Sequence, residues 1–219
     1  MIIVGICGGS GSGKSTFAER IRDGLSCSCE IMRLDCYYFD QGGKPFEERT
    51  KVNYDSPEIF DFDEMLADIR LLIDGKPVTR KGYNYAEHRR DDSEELMYPP
   101  EVLIIEGIHV FYDDRICDIM NLKLFIKVDS DICLLRRITR DMNERGRSLE
   151  SISEQYKATV KPMREKYIDK YIDKADVVVM RGGMNEQALK TTISYLKSCV
   201  KEQRPAESEK NESDGNDSE

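Results

Sequence analysis

Apolar residues fall along this chain in two rhythms. Short apolar-rich runs at Ile2 to Cys7, Cys29 to Leu34, Val102 to Ile105, Leu122 to Val128 and Ala175 to Met180 read as buried strands. Between them the spacing turns helical. Phe17, Ala18, Ile21 and Leu25 follow the first strand, and Ile132, Leu135, Ile138 and Met142 precede the last. A third helical pattern runs through Phe60, Phe62, Met65, Leu66, Ile69, Leu72 and Ile73, with Gly75 as its stop. Ser56 followed by Pro57 is expected to open that helix. Residues 76–99 are polar, with short β runs about a charged turn, and predict a hairpin arm standing off the main sheet. Tyr83 and Tyr85 share one face of it by period two.

Composition narrows the class. At 219 residues, 39% apolar and 34% charged, the chain suits one α/β domain with a sizeable core. No apolar run reaches the roughly 18 residues needed to span a bilayer, and no basic region precedes the first strand, so the cytoplasm is the expected compartment and no membrane partner is expected. Seven scattered cysteines with no metal-ligand spacing read as free thiols, Cys7 as core. The net charge of −9 argues against a nucleic-acid surface. Residues 202–219 carry seven acidic and two basic side chains and no aromatic, which predicts a disordered acidic tail after a domain spanning 1–201.

Between the first strand and first helix stands Gly8-Gly9-Ser10-Gly11-Ser12-Gly13-Lys14-Ser15-Thr16, which fits G-x-x-x-x-G-K-[ST]. Glycines let successive N–H groups turn inward, and the helix end adds partial positive charge, so the loop suits phosphates. Lys14 can reach the outer phosphates and Ser15 can hold Mg²⁺. Glu106, closing a buried strand, has the position of a second Mg²⁺ carboxylate. Asp35, at the carboxyl end of the second strand and expected one strand over from the phosphate loop, is placed either to take a proton from an attacking hydroxyl or to cap a helix or serve the metal. Asp40-Gln41-Gly42-Gly43 matches D-x-x-G formally but has no strand before it and no N-K-x-D elsewhere, so it reads as a turn. Arg136, Arg137, Arg140, Arg145 and Arg147, with Gly146 as a hinge, suggest a lid over 131–147 that neutralises developing charge. The alternative is a solvated basic face paired with Asp141 and Glu144.

Taken together, GGSGSGKST, DCYY, NYDSP, YNYAEH, IIEGI, RRITRDMNERGRSLESISEQY and the late RGGMN resemble the uridine–cytidine kinases over residues 2 to 200. The resemblance implies a P-loop NTPase-type, five-stranded parallel sheet flanked by helices, with a β-hairpin substrate arm and an arginine-rich lid, assembled as a homotetramer. It implies transfer of the γ-phosphate of ATP or GTP, with Mg²⁺, to the 5′-hydroxyl of uridine or cytidine. By position it makes Asp35 the base and a Mg²⁺-shell carboxylate, Asp55 the ribose reader, and Tyr83 and His88 the base readers. Tyr54 and Tyr85 become aromatic walls; Arg137, Arg147 and Gln155 further substrate contacts; Arg140 and Arg145 phosphate-facing. Met184, between Gly183 and Asn185, falls at the adenine end, where relatives often carry a polar side chain. Kinases of sugar phosphates or pantothenate are the enzymatic alternative, although Asp55 would repel an anionic acceptor. A nucleotide-binding regulatory module without turnover is the other.

Overall fold

The computed structural model describes residues 1–204. Five strands, β1 (Ile2–Cys7), β2 (Cys29–Arg33), β5 (Val102–Gly107), β6 (Leu122–Lys127) and β7 (Val177–Met180), form one sheet in the order β2-β5-β1-β6-β7. Every neighbouring pair is parallel. The apolar strand runs have their reason in burial on both faces. Ile2, Val4 and Ile6 of β1 pack with Phe17, Ala18 and Ile21 of α1 (Lys14–Gly24), and with Leu189, Leu196 and Val200 of the last helix, Glu186–Gln203. Ile3 and Cys7, one residue out of phase, belong to the opposite core with Met65, Leu66, Ile69 and Leu72. Cys7 is core, and all seven cysteines are free.

The remaining helices are α2 (Phe46–Arg49), α3 (Phe62–Ile73), α4 (Asp114–Cys117), α5 (Ser130–Arg145), α6 (Leu149–Gln155), α7 (Lys161–Lys166) and α8, the Glu186–Gln203 helix. The third helical pattern begins later than its sequence suggests. Ser56 and Pro57 open only a single 3₁₀ turn, Pro57–Ile59, while the cap of α3 is Asp61, whose Oδ1 accepts from the Glu64 N–H at 2.8 Å. The chain between them is held instead by backbone pairing, with the Asp61 N–H donating to the Tyr37 carbonyl at 2.7 Å. Gly75 follows the end of α3 with a φ of +78°. Asp40 to Gly43 is a turn, the Gly42 N–H donating to Asp40 Oδ1 at 2.9 Å.

The arm is an antiparallel hairpin of β3 (Val78–Asn84) and β4 (Arg89–Met97), with its register shifted between Lys81 and Tyr83. Arg90 ties it down: Nε donates to the Tyr38 carbonyl at 2.8 Å, and the guanidinium pairs with Glu64. From α6 the chain passes through one π turn, Tyr156–Val160, into α7. Pro162 explains it, since it lacks the N–H that would return to Ala158 and its ring crowds that carbonyl. Helix α8 continues through Gln203, past the expected boundary at 202, and Arg204 pairs with Glu101; residues 205–219 of the expected acidic tail lie outside the described residues. Among the described residues no helix is long and apolar enough to cross a membrane.

Candidate active site

β1 runs directly into the phosphate loop. Gly11 and Gly13 take left-handed φ values of +82° and +88°, and a Cβ on Gly11 would stand 2.4 Å from the Cys133 carbonyl oxygen. The loop closes against α5 because that position has no side chain. Gly13 caps α1, so Lys14, Ser15 and Thr16 form its first turn, where unpaired N–H groups and the helix dipole favour an anion. Lys14 has no salt-bridge partner among the described residues. The Ser15 hydroxyl donates to Glu106 Oε1 at 2.9 Å, and Arg33 Nε lies 3.6 Å from the same oxygen. Burial raises the Glu106 pKa, and the Lys14 charge opposes the rise.

Asp35 follows β2 in a 3₁₀ turn, Leu34–Tyr37, at the carboxyl edge of the sheet; its strand stands two places from the phosphate loop's β1, not one as expected, because β5 pairs between them. It lines one cleft of about 270 Å³ with Ser10, Lys14, Ser15 and Glu106. Tyr54 and Asp55 from the loop before α3, and Tyr83, Tyr85 and His88 from the arm, line the same cleft. So do Arg137, Arg140, Arg145, Arg147 and Gln155 from the lid. Met184 does not: it is 66% exposed, outside this cleft. Its turn nevertheless packs on the phosphate loop, since a Cβ on Gly183 would meet the Gly13 carbonyl oxygen at 2.1 Å. Thr16 is also exposed, and the loop glycines contribute backbone rather than side chains.

The aromatic end is built from neighbouring rings. Tyr54 stacks on His88 with centroids 5.0 Å apart and planes 20° from parallel, and Tyr83 meets Tyr38 at 4.7 Å and Tyr85 at 5.2 Å. His88 closes the hairpin turn with a positive φ of 50°, a conformation that histidine tolerates better than branched residues. Desolvation, then Arg147 and Arg145, lower its pKa, which keeps the imidazole neutral near pH 7. The Tyr83 hydroxyl is buried without a hydrogen-bond partner of normal geometry.

Asp55 is 7% exposed, and burial raises its pKa. Three groups hold it. Thr159, in the π turn, donates to Oδ2 at 2.9 Å; Arg137 lies 4.0 Å from Oδ1; and His109 Nε2 sits 2.7 Å from the Asp55 carbonyl oxygen. A carbonyl can only accept, so Nε2 carries the proton and Nδ1 accepts from the Tyr171 hydroxyl at 3.0 Å. Burial pushes the His109 pKa down to about 4, consistent with that single neutral tautomer.

Four arginines of the basic segment, Arg137, Arg140, Arg145 and Arg147, line the cleft and surround Asp141, which is fully buried rather than part of a solvated face. Arg136 lies outside the cleft and donates to the Gly11 carbonyl of the phosphate loop at 3.4 Å. Arg140, Arg145, Arg137 and Arg147 approach the Asp141 carboxylate at 2.8, 3.4, 3.5 and 3.7 Å. Asp141 lies one helical turn after Arg137 and one before Arg145, which puts all three on one face of α5. Gly146, at a φ of +62°, ends the helix, and the Arg147 N–H returns to the Asp141 carbonyl at 3.1 Å. That turn brings Arg147 back to the cleft. Arg137 reaches Ser10 Oγ at 3.1 Å and Gln155 Oε1 at 2.9 Å, linking lid to phosphate loop. Arg33, Tyr38, His109 and Thr159 are participants that sequence reading passed over, and of these only His109, two residues past the end of β5 at Gly107, carried a positional signal. Asp141 was expected only as a partner of a solvated face.

The model of the phosphoribulokinase/uridine kinase family matches residues 3–188. Among curated proteins, uridine kinase from Ligilactobacillus salivarius is 41% identical over 201 residues, covering 91% of this chain and 94% of the relative. Uridine kinase from Streptococcus pyogenes serotype M5 is 42% identical over 202 residues, 92% of this chain and 97% of its own length. Phosphoribulokinase from Rhodobacter spheroides shares the fold at a TM-score of 0.58 and 14% identity, over 82% of this chain and 69% of that one. With a phosphate loop, two carboxylates at strand ends and a match of this extent, the chain belongs to the phosphoribulokinase/uridine kinase family.

Proposed function

We propose that this phosphotransferase moves the γ-phosphate of ATP to the 5′-hydroxyl of uridine, and of cytidine, giving the nucleoside monophosphate and ADP. The observation that carries the reading is a single cleft shared by the phosphate-loop Lys14 and Ser15, the strand-end Asp35, and a desolvated Asp55 beside Tyr83 and His88. Asp35 takes the hydroxyl proton as oxygen attacks phosphorus, and the bond from the γ-phosphorus to the bridging oxygen of ADP breaks. Lys14, Arg140 and Arg145 stabilise the negative charge that spreads over the transferring group. Ser15, Asp35 and Glu106 offer hard oxygen donors suited to Mg²⁺, which would supply charge neutralisation at the phosphates. Residues 183–185 would line the adenine end, and the packing of Gly183 on Gly13 of the phosphate loop supports that placing of Met184.

Acceptor choice follows from the other end. Asp55 can accept from two vicinal hydroxyls, and a carboxylate there opposes an anionic sugar phosphate. Arg147 and Gln155 support the same subsite through Arg137, while Tyr54 and Tyr85 wall the base. A phenol can donate to uracil O4 or accept from the cytosine amino group. A neutral imidazole adapts likewise through its tautomers, so Tyr83 and His88 suit both pyrimidines. The homotetramer implied by resemblance is tested by a mass measurement in solution.

ADP release with uridine, cytidine, ribulose 5-phosphate and pantothenate tests the reading, for wild type and Asp35→Asn. Turnover is expected with the two nucleosides alone, and a loss of about 10²–10⁴-fold in the variant. Wild-type kcat in Asp35→Asn, or turnover of ribulose 5-phosphate, overturns it.

A further inference from the structure

The Tyr85 hydroxyl donates to Asp35 Oδ2 at 2.6 Å, across 50 residues of sequence. The distance is that of a charge-assisted hydrogen bond. Tyr85 is the first residue of the hairpin turn, so the tip of the arm reaches down onto the strand-end carboxylate. Its ring is fixed from two other directions. The Arg145 guanidinium lies 4.1 Å above the ring centroid, and Tyr83 meets it edge-on. Arm, lid and base therefore converge on one side chain that a wall residue alone would not need to provide with a hydroxyl.

We propose that the Tyr85 hydroxyl is a stand-in for the acceptor: it occupies the proton-accepting oxygen of Asp35 until a nucleoside's 5′-hydroxyl displaces it. The inference rests on Asp35 being the base, as proposed above. A kinase whose base is free before its acceptor arrives can deprotonate water instead, and the γ-phosphate is then lost to hydrolysis. A phenol bound to the carboxylate competes with water for that oxygen, yet it is a poor nucleophile while protonated. A phenol keeps its proton near neutral pH, so beside a carboxylate it acts as the donor. Tyr85 is 37% exposed, so swinging it aside exacts no core rearrangement. A nucleoside brings a hydroxyl anchored by its ribose and base, and effective concentration lets it win the site where a single water does not.

Tyr85→Phe tests this, because it removes the hydroxyl and keeps the ring under Arg145. Two quantities are read: phosphate release from Mg²⁺-ATP without nucleoside, and KM and kcat for uridine. Nucleoside-independent hydrolysis is expected to rise about tenfold, the effect of one hydrogen bond to a charged group. KM for uridine should fall, because uridine no longer has to displace the hydroxyl. In Tyr85→Phe/Asp35→Asn the gain in hydrolysis should vanish. Unchanged hydrolysis and KM in Tyr85→Phe, or an equal gain in the double variant, overturns the inference. Wild-type uridine turnover in Asp35→Asn alone instead removes the base assignment beneath it, so the two failures are told apart.

Discussion

Replacing Asp141 by Asn removes one charge and almost no volume, and the structure sets the consequence. The carboxylate is 0% exposed, and four guanidinium groups lie within 4 Å of it. Arg137 is itself nearly buried, while the other three side chains are 23–31% exposed, so solvent screens them only in part. Removing one partner from a buried ion-pair cluster costs about 3–5 kcal/mol, because the remaining charges stay desolvated and repel one another. For a domain of this size that corresponds to roughly 6–20 °C in Tm. Thermal unfolding followed by circular dichroism, with and without Mg²⁺-ATP, provides the assay. In the proposed site a triphosphate would return negative charge to the cluster, so ATP should stabilise the variant more than it stabilises wild type. An Asp141→Asn protein that melts within about 2 °C of wild type, with the same increment from ATP, would refute the view that Asp141 organises the lid.

Three further outcomes are expected. Thr159→Val keeps the shape of the π turn but strips Asp55 of a hydrogen bond, so KM for uridine should rise about tenfold with kcat little changed; an unaltered KM removes Thr159 from the ribose site. The His109 pKa of about 4 lies below the ordinary value of 6.5, so between these values the unfolded chain binds the extra proton and stability falls as pH falls. Denaturant titrations should lose on the order of 2 kcal/mol between pH 7.5 and 5, a slope that His109→Gln flattens; equal slopes in both proteins would show that the proton goes elsewhere. Finally, 2′-deoxyuridine should be a poor acceptor, its kcat/KM below that of uridine by up to ~10⁴ because a buried acceptor oxygen is left unpaired; comparable values would free Asp55 from ribose recognition.

Chemistry that depends on neighbours in sequence was legible before any coordinates. The phosphate loop is such a case: its glycines, lysine and serine lie within nine consecutive residues, and the strand before it and helix after it are periodic patterns of their own. The alternation of the arm and the spacing of the lid arginines are likewise properties of short segments. The start of α3 was misjudged for a related reason. Ser56-Pro57 has the local chemistry of a helix entrance, but backbone pairing of Phe39 and Tyr37 with Ile59 and Asp61 holds Phe60 extended after one 3₁₀ turn and leaves the cap to Asp61.

Contacts between distant segments were decided by folding alone. Nothing in its own neighbourhood marks Thr159 as a partner for Asp55, 104 residues away; the π turn that aims it there arises at Pro162 and matters only because α7 packs where it does. Asp141 has helical partners that sequence spacing suggests, yet its complete burial and its fourth guanidinium, Arg147 returning after Gly146, are properties of the folded chain alone. Tyr85 reads from sequence as a ring on the same face as Tyr83, and only the docking of the hairpin tip brings its hydroxyl to Asp35. Local pattern determined the elements and most of the reactive groups, because propensity and periodicity act over a few residues. Which groups neutralise, orient or mask one another was left to tertiary structure, because electrostatics and hydrogen bonding act through distances in space that the chain order does not contain.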